Sequence, residues 1–241
     1  MSIARKILMG SGGKKDSTYV DDVFSTYVYR GTGSARSINN GIDLAGEGGM
    51  VWSKVRNDTY SHALVDNVRG VSKVLRTERN NGELTASDMV TAFNSNGYSL
   101  GTDANGYANY NNTKNYVSWT FRKAPGFFDV VTYTGTGSAR TVAHNLGSVP
   151  GMIIVKETSG GGGWWDVYHR GLNNGVTPQN YRIYLNDNAA EGAYTTHWND
   201  TAPTASNFTV GTNSSCNGNG ATYVAYLFAG GSSTAATARS V

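Results

Sequence analysis

The chain has 241 residues, of which 15% are charged and 31 are glycine, with a formal net charge of +3. Charge is sparse against roughly a quarter in an average soluble protein, and it is scattered, which leaves no basic block for a nucleic-acid face. One cysteine, Cys216, excludes an intrachain disulfide framework and a cysteine zinc site, while 39% hydrophobic residues suffice for a core and exclude wholesale disorder.

From the N-terminus, Arg5 and Lys6 precede only Ile7, Leu8 and Met9 as an apolar run. That is too short for a signal-peptide core or a membrane span, so cytosolic synthesis without export through a signal is expected. Met1–Asp22, rich in Gly, Lys and Asp, reads as an arm. Phe24–Tyr29 is a run of aromatic and β-branched residues closed by Gly31-Thr32-Gly33, the pattern of a strand and its turn. Asn80-Asn81-Gly82 marks another turn, and Ser87–Phe93 is the one candidate helix, about two turns long. Pro125-Gly126 ends pairing and permits a bend. Beyond it, Val130–Tyr133, Met152–Lys156 and Tyr223–Phe228 are short β-rich stretches, and Tyr181–Leu185 alternates like a strand with one buried face. Gly230–Val241 is small and polar, and is expected to be disordered or to order only on a partner.

Self-similarity organises these elements. Tyr29–Ile38 returns as Tyr133–Val142, and Gly49–Lys54 as Gly151–Lys156. Val68–Gly70 is answered by His169–Gly171, Tyr98–Gly101 by Phe208–Gly211, and Tyr116–Phe121 by Tyr223–Phe228. The five blocks keep their order, each displaced by about 100 residues, as a tandem duplication would leave them. The sequence therefore predicts an all-β chain of two tandem antiparallel β-sandwich modules, jelly-roll-like, joined rigidly. The expected limits are an arm at 1–22, modules at 23–125 and 126–230, and a flexible tail at 231–241.

Motifs that could carry chemistry are few. Gly31-Thr32-Gly33 and the Gly10–Lys15 stretch suggest phosphate loops, but the Walker order of Gly-Lys-Ser/Thr before a helix is absent. His62, His144, His169 and His197 form no zinc-hydrolase spacing, and no Gly-x-Ser-x-Gly elbow singles out a nucleophile. Carboxylate pairs for glycan cleavage would come from Glu47, Asp66, Glu78 and Glu83 or from Glu157, Asp166, Asp187 and Glu191, at unlike spacings in the two copies. No catalytic residue, metal site or cofactor is expected. The cluster Trp164-Trp165-Asp166-Val167-Tyr168-His169-Arg170 stands apart, because aromatic faces stack on sugar rings. Trp164, Trp165, Tyr168 and Arg170, joined by Trp198, form the candidate glycan or receptor contact. The competing reading has Trp165, Val167 and His169 filling the sandwich, with Trp164 or Tyr168 as the exposed member.

Tyr19–Tyr27, Ile38–Leu44, Val142–Pro150 and Tyr223–Ala229 resemble segments of virion proteins of marine tailed phages, of the cyanophage and pelagiphage kind, described as structural or tail-fibre-like. The resemblance runs from Tyr19 to Ala229 and implies a virion component that is not an enzyme. The expected partners are other virion proteins, further copies in a symmetric oligomer, and a host-surface glycan or protein. Capsid decoration is the alternative, and a glycan-cleaving fibre enzyme a minor one. The His144–Pro150 phrase recurs in phage tail modules, yet Asn39–Ala45 at the matching place in the first copy lacks its His and Pro.

Overall fold

Strand parity decides how this chain packs. The computed structural model describes residues 18–160 and 163–230, with the backbone of 236–237. Four antiparallel strands form a first large sheet in the order Phe24–Arg30, Asn115–Arg122, Gly49–Val55, Ala63–Asp66. A second large sheet repeats that order with Phe128–Thr134, Thr222–Ala229, Pro150–Glu157 and Trp165–His169. It then continues into Tyr181–Tyr184 and Gly192–Ala193. Each large sheet carries a smaller one. Arg36–Asn39, Gly97–Leu100 and Val90–Asn94 cover the first, and Arg140–Ala143 with Asn207–Val210 covers the second.

Successive side chains leave a strand on opposite faces, and here the inner strands of the large sheets are largely covered on both, while the edge strand Phe24–Arg30 keeps Thr26 and Val28 exposed. Val51, Val55 and Tyr116 meet Ile38, Tyr98 and Leu100 in the first core. Ile153, Val155, Tyr223 and Leu227 meet Val142, Phe208 and Val210 in the second. The alternate positions Met50 and Leu64 of the first sheet meet Phe128, Val130, Ile154, Trp165, Val167, Val224 and Tyr226 of the second in a third, central core. The large sheets thus lie back to back between the small ones. Phe121, Phe127, Phe128 and Phe228 pack ring to ring at 5.1–6.3 Å, so the join around Pro125 runs beside an aromatic cluster.

The Gly-Thr-Gly segments are structural turns in both halves. Gly33 and Gly137 have φ of +65° and +71°, and a Cβ on Gly31 or Gly135 would stand 2.5 or 2.2 Å from a carbonyl oxygen. Their amides are already used. Thr32 N donates to Asn109 Oδ1 and Thr136 N to Asn217 Oδ1, each at 2.9 Å. Gly31 N and Gly135 N donate to backbone carbonyls at 2.9 and 2.8 Å. No such turn has amides left to cradle a phosphate; Gly10–Lys15 lies outside the described residues. Asn109 and Asn217 donate to equivalent carbonyls, Gly101 and Gly211, at 2.6 Å each. Tyr29 stacks on Tyr116 at 5.5 Å and Tyr133 on Tyr223 at 5.2 Å. His144 Nδ1 accepts from Leu146 N at 3.2 Å where Asn40 Oδ1 accepts from Ile42 N at 3.3 Å, so this histidine shapes a turn.

Two expectations need correction. Ser87–Phe93 is no helix: Val90–Asn94 is a strand paired with Gly97–Leu100, with a register shift between Val90 and Ala92. Pairing and burial of Val90 outweigh local propensity over so short a stretch. The Arg-Gly pairs at Arg69 and Arg170 are also out of step. Asp66 faces Met50 and His169 faces Met152, so Asp66 and His169 share one ladder position. Arg69 is then three residues past it and Arg170 only one. At the ends of the domain, Thr18–Tyr19 runs parallel to Ala236–Thr237, which brings arm and tail together. The rest of 1–17 and 231–241, with the arm and tail expected there, lies outside the described residues.

Polar groups also cross the central core. Asp66 Oδ2 accepts from Arg69 Nε at 2.7 Å and from Tyr226 OH of the other half at 2.8 Å. Arg69 reaches Glu83 at 3.2 Å. Lys156 Nζ donates to Asn80 O at 2.8 Å and Gly163 O at 2.7 Å, and Trp165 Nε1 to Arg79 O at 3.0 Å. Burial pushes the Lys156 ammonium down from 10.5 to about 8. The folded chain then holds fewer protons than the unfolded one between those values, so this group makes stability rise with pH there. Burial raises the Cys216 thiol above its ordinary 9.0 and the phenols of Tyr98, Tyr116 and Tyr223 from 10.0 to about 12, and their contribution is lost above 9 and 10 respectively. Urea midpoints measured from pH 7 to 11 should therefore rise past 8, peak near 9 and fall beyond 10, with the rise flattened in Lys156→Met. A monotonic fall from pH 7 would refute this.

Candidate functional site

Parity also builds the site. Trp165 and Val167 point into the central core, so Asp166 between them points the other way, into the second-half sandwich, and is fully buried. By ladder position its counterpart in the first half is Ala63, so the charge is peculiar to the second half. Asp166 Oδ1 lies 3.3 Å from His197 Nε2 and 3.7 Å from Arg182 Nε, and both partners are themselves buried. His197 and Trp198 sit on the short helix Thr195–Trp198, anchored where Trp198 Nε1 donates to Tyr181 O at 3.1 Å.

Arg182 comes from the alternating strand Tyr181–Tyr184 and is the buried member of that strand. Its guanidinium is held between the rings of Tyr184, 3.6 Å away, and Tyr194, 3.8 Å away. Tyr184 in turn packs on half-buried Trp164 at 4.7 Å, and Tyr194 meets His197 edge-on at 5.5 Å. Three members of the resulting stack, Trp164, Tyr184 and Arg182, border a cleft of about 380 Å³, while Tyr194 backs Arg182 from outside its lining. Glu157, His197, Asn213, Ser214 and Ser215 contribute the cleft's other polar walls.

Ser215, His197 and Asp166 look like a hydrolytic triad in composition, but their geometry differs. In a triad the hydroxyl and the carboxylate take opposite ring nitrogens. Here Ser215 Oγ and Asp166 both approach Nε2, each at 3.3 Å, while Nδ1 is buried without a hydrogen-bond partner. Ser215 Oγ also donates to Asn213 Oδ1 at 2.8 Å, away from the histidine. Neighbouring Cys216 is fully buried, and burial raises its thiol, which keeps the thiolate out of reach at neutral pH. Among the described residues, no group of three or more His, Cys, Asp or Glu could hold a metal ion.

The residues expected from sequence to form one contact are dispersed. Trp165 fills the central core, while Tyr168 and Trp198 pack edge-to-face at 6.1 Å in the second core, each of the three at most 4% exposed. Of the two rings expected as the exposed member, Trp164 or Tyr168, Tyr168 is thus buried and Trp164 only half-buried, and all three buried rings lie out of a ligand's reach. Arg170 is exposed beyond the far end of the strand from Trp164. His169 is exposed too, rather than packed in the sandwich, and its Nδ1 accepts from Gly171 N at 3.0 Å. Trp164 alone of the five borders the cleft. Sequence reasoning passed over Arg182, Tyr184 and Tyr194, although Arg182 and Tyr184 two residues apart on one alternating strand were a readable signal. Of the candidate carboxylates, Glu157 borders this cleft, and Glu191 accepts from Asn173 N at 2.9 Å.

Fold and site together define an all-β protein of back-to-back sandwiches with an aromatic–cation cleft on the second. The chain belongs to the family described as domain of unknown function DUF7483, whose model matches residues 19–236. No curated protein matches it. No helix among the described residues is long and apolar enough to cross a membrane.

Proposed function

We propose that this chain is a non-catalytic virion component of a tailed phage, tail-associated, which holds a host-surface glycan at the cleft beside Trp164. The supporting observation is the Trp164–Tyr184–Arg182 wall, braced from behind by Tyr194, in a cleft that also holds serine hydroxyls and a carboxylate. Rigid rings supply contact area at small entropic cost, and hydroxyls and carboxylates orient a sugar. The shared Nε2 contact of Ser215 and Asp166 favours binding over hydrolysis, and the phage setting rests on the resemblance from Tyr19 to Ala229. The recurring strand order and turn hydrogen bonds are consistent with one module duplicated, the second copy having gained the charged cleft. Other virion proteins and further copies of the chain are its proposed partners.

Trp164→Ala tests the reading. Binding to host cells or to a glycan array should be lost, while stability falls by only about 1 kcal/mol, the worth of one aromatic pair. Undiminished binding would remove the cleft from consideration. Immunogold labelling of purified virions should mark the tail; labelling over the whole head would instead make the protein a capsid decoration.

A further inference from the structure

We propose a second ligand site, a cleft closed jointly by the two halves that takes a neutral sugar. Its volume is about 440 Å³, within the range of roughly 300–1,000 Å³ usual for small-molecule sites. Trp52, His62 and Glu78 of the first half form one side, and Leu185, Asn186 and Asp187 of the second form the other. Neither half contains the site alone.

Trp52 is the floor. It stands on the central-core face of its strand, edge-on to Trp119 at 5.9 Å and 6.3 Å from the His62 ring. Glu78 is fixed by His62 N, which donates to Oε2 at 3.2 Å, and by Arg79 Nε, which donates to Oε1 at 3.3 Å. Burial holds the His62 imidazole below its ordinary 6.5, so the ring is neutral at pH 7. Across the cleft, Asn186 Oδ1 accepts from Trp165 N at 3.1 Å, and its Nδ2 donates to Asn80 Oδ1 of the first half. Exposed Asp187 and Asn188 follow on the rim, and Asp187 Oδ1 accepts from Ala189 N at 2.8 Å.

An aromatic floor with carboxylates and amides at its rim matches a pyranose: C–H groups lie on the indole, and each hydroxyl both donates and accepts. Two carboxylates and no Lys or Arg line the cleft; Glu78 is paired with Arg79 outside the lining, so the repulsion of uronates and phosphates comes chiefly from Asp187. The first cleft differs in having Arg182 on its wall, so the two sites should separate neutral from acidic ligands.

The test is saturation-transfer NMR and calorimetry on the full chain with glucose, galactose, mannose and their trisaccharides, against glucuronate and galacturonate. At least one neutral sugar should bind, the uronates at least tenfold more weakly at this site. Asp187→Ala and Asn188→Ala, both on an exposed loop, should each weaken it severalfold, and together at least tenfold. Trp164→Ala should leave it unchanged, which keeps this site distinct from the first. The proposal is overturned if no neutral sugar binds, if uronates compete equally, or if binding survives the loop double variant and vanishes with Trp164→Ala. Thermal midpoints of the variants, expected within a few degrees of the parent, confirm that folding is not the cause.

Discussion

Asp66→Ala should lower the stability of the whole domain by about 3–5 kcal/mol, the usual cost of removing one partner from a buried ion pair. Asp66 is fully buried and accepts from Arg69 Nε, from the amides of Val68 and Arg69, and from Tyr226 OH across the central core. Its removal leaves the Arg69 guanidinium, only 4% exposed, with the more distant Glu83 as its charge partner. Pairing two variants separates charge from packing. Asp66→Ala with Arg69→Met should regain part of the loss, because the stranded cation is gone. Urea unfolding followed by fluorescence gives both values. A single-variant loss under 1 kcal/mol would mean that water reaches the network and that it does not join the halves.

Trp165→Ala should cost a further, independently measured 3–5 kcal/mol, as large-to-small changes of buried aromatics do. The side chain is fully buried in the central core, stacked on Tyr226 at 6.5 Å, with Nε1 bonded to Arg79 O of the first half. Trp165→Phe retains a ring but strands that carbonyl, and should lose about 1–3 kcal/mol. Because the side chain contacts both halves, the two should still unfold together in one transition. If the first half keeps its midpoint while the second melts earlier, the central core does not couple them.

Much of this was legible in the sequence, and the reasons differ by feature. The Gly-Thr-Gly turns announced themselves because close approach and positive φ leave glycine little competition. Strands were readable wherever β-branched and aromatic residues run between turns. The layering was harder. Thr222–Ala229 is apolar at every position after its first, the mark of a strand buried on both faces, and Gly49–Val55 departs from that only at Ser53 and Lys54, but runs of seven or eight residues do not reveal what covers the second face. The aromatic cluster shows how one residue of parity matters: Trp164 borders a cleft while Trp165 fills a core. The charged group at the site could not be read at all, since Asp166, Arg182, His197 and Ser215 are brought together only by tertiary folding.

The central core also bears on how the chain is made. Synthesis completes the first half while Met50, Leu64 and Trp52 still await Phe128, Ile154 and Trp165. A nascent first half therefore presents one apolar sheet face to its surroundings until more than a hundred further residues have left the ribosome, and such a face invites mispairing between neighbouring chains. Contacts this distant in sequence imply slow, late closure and a dependence on chaperones at high expression. The same feature sets a rule for truncation: the boundary near Pro125 divides the sequence, but cutting there would expose the Phe121–Phe127–Phe128–Phe228 cluster rather than release two soluble domains.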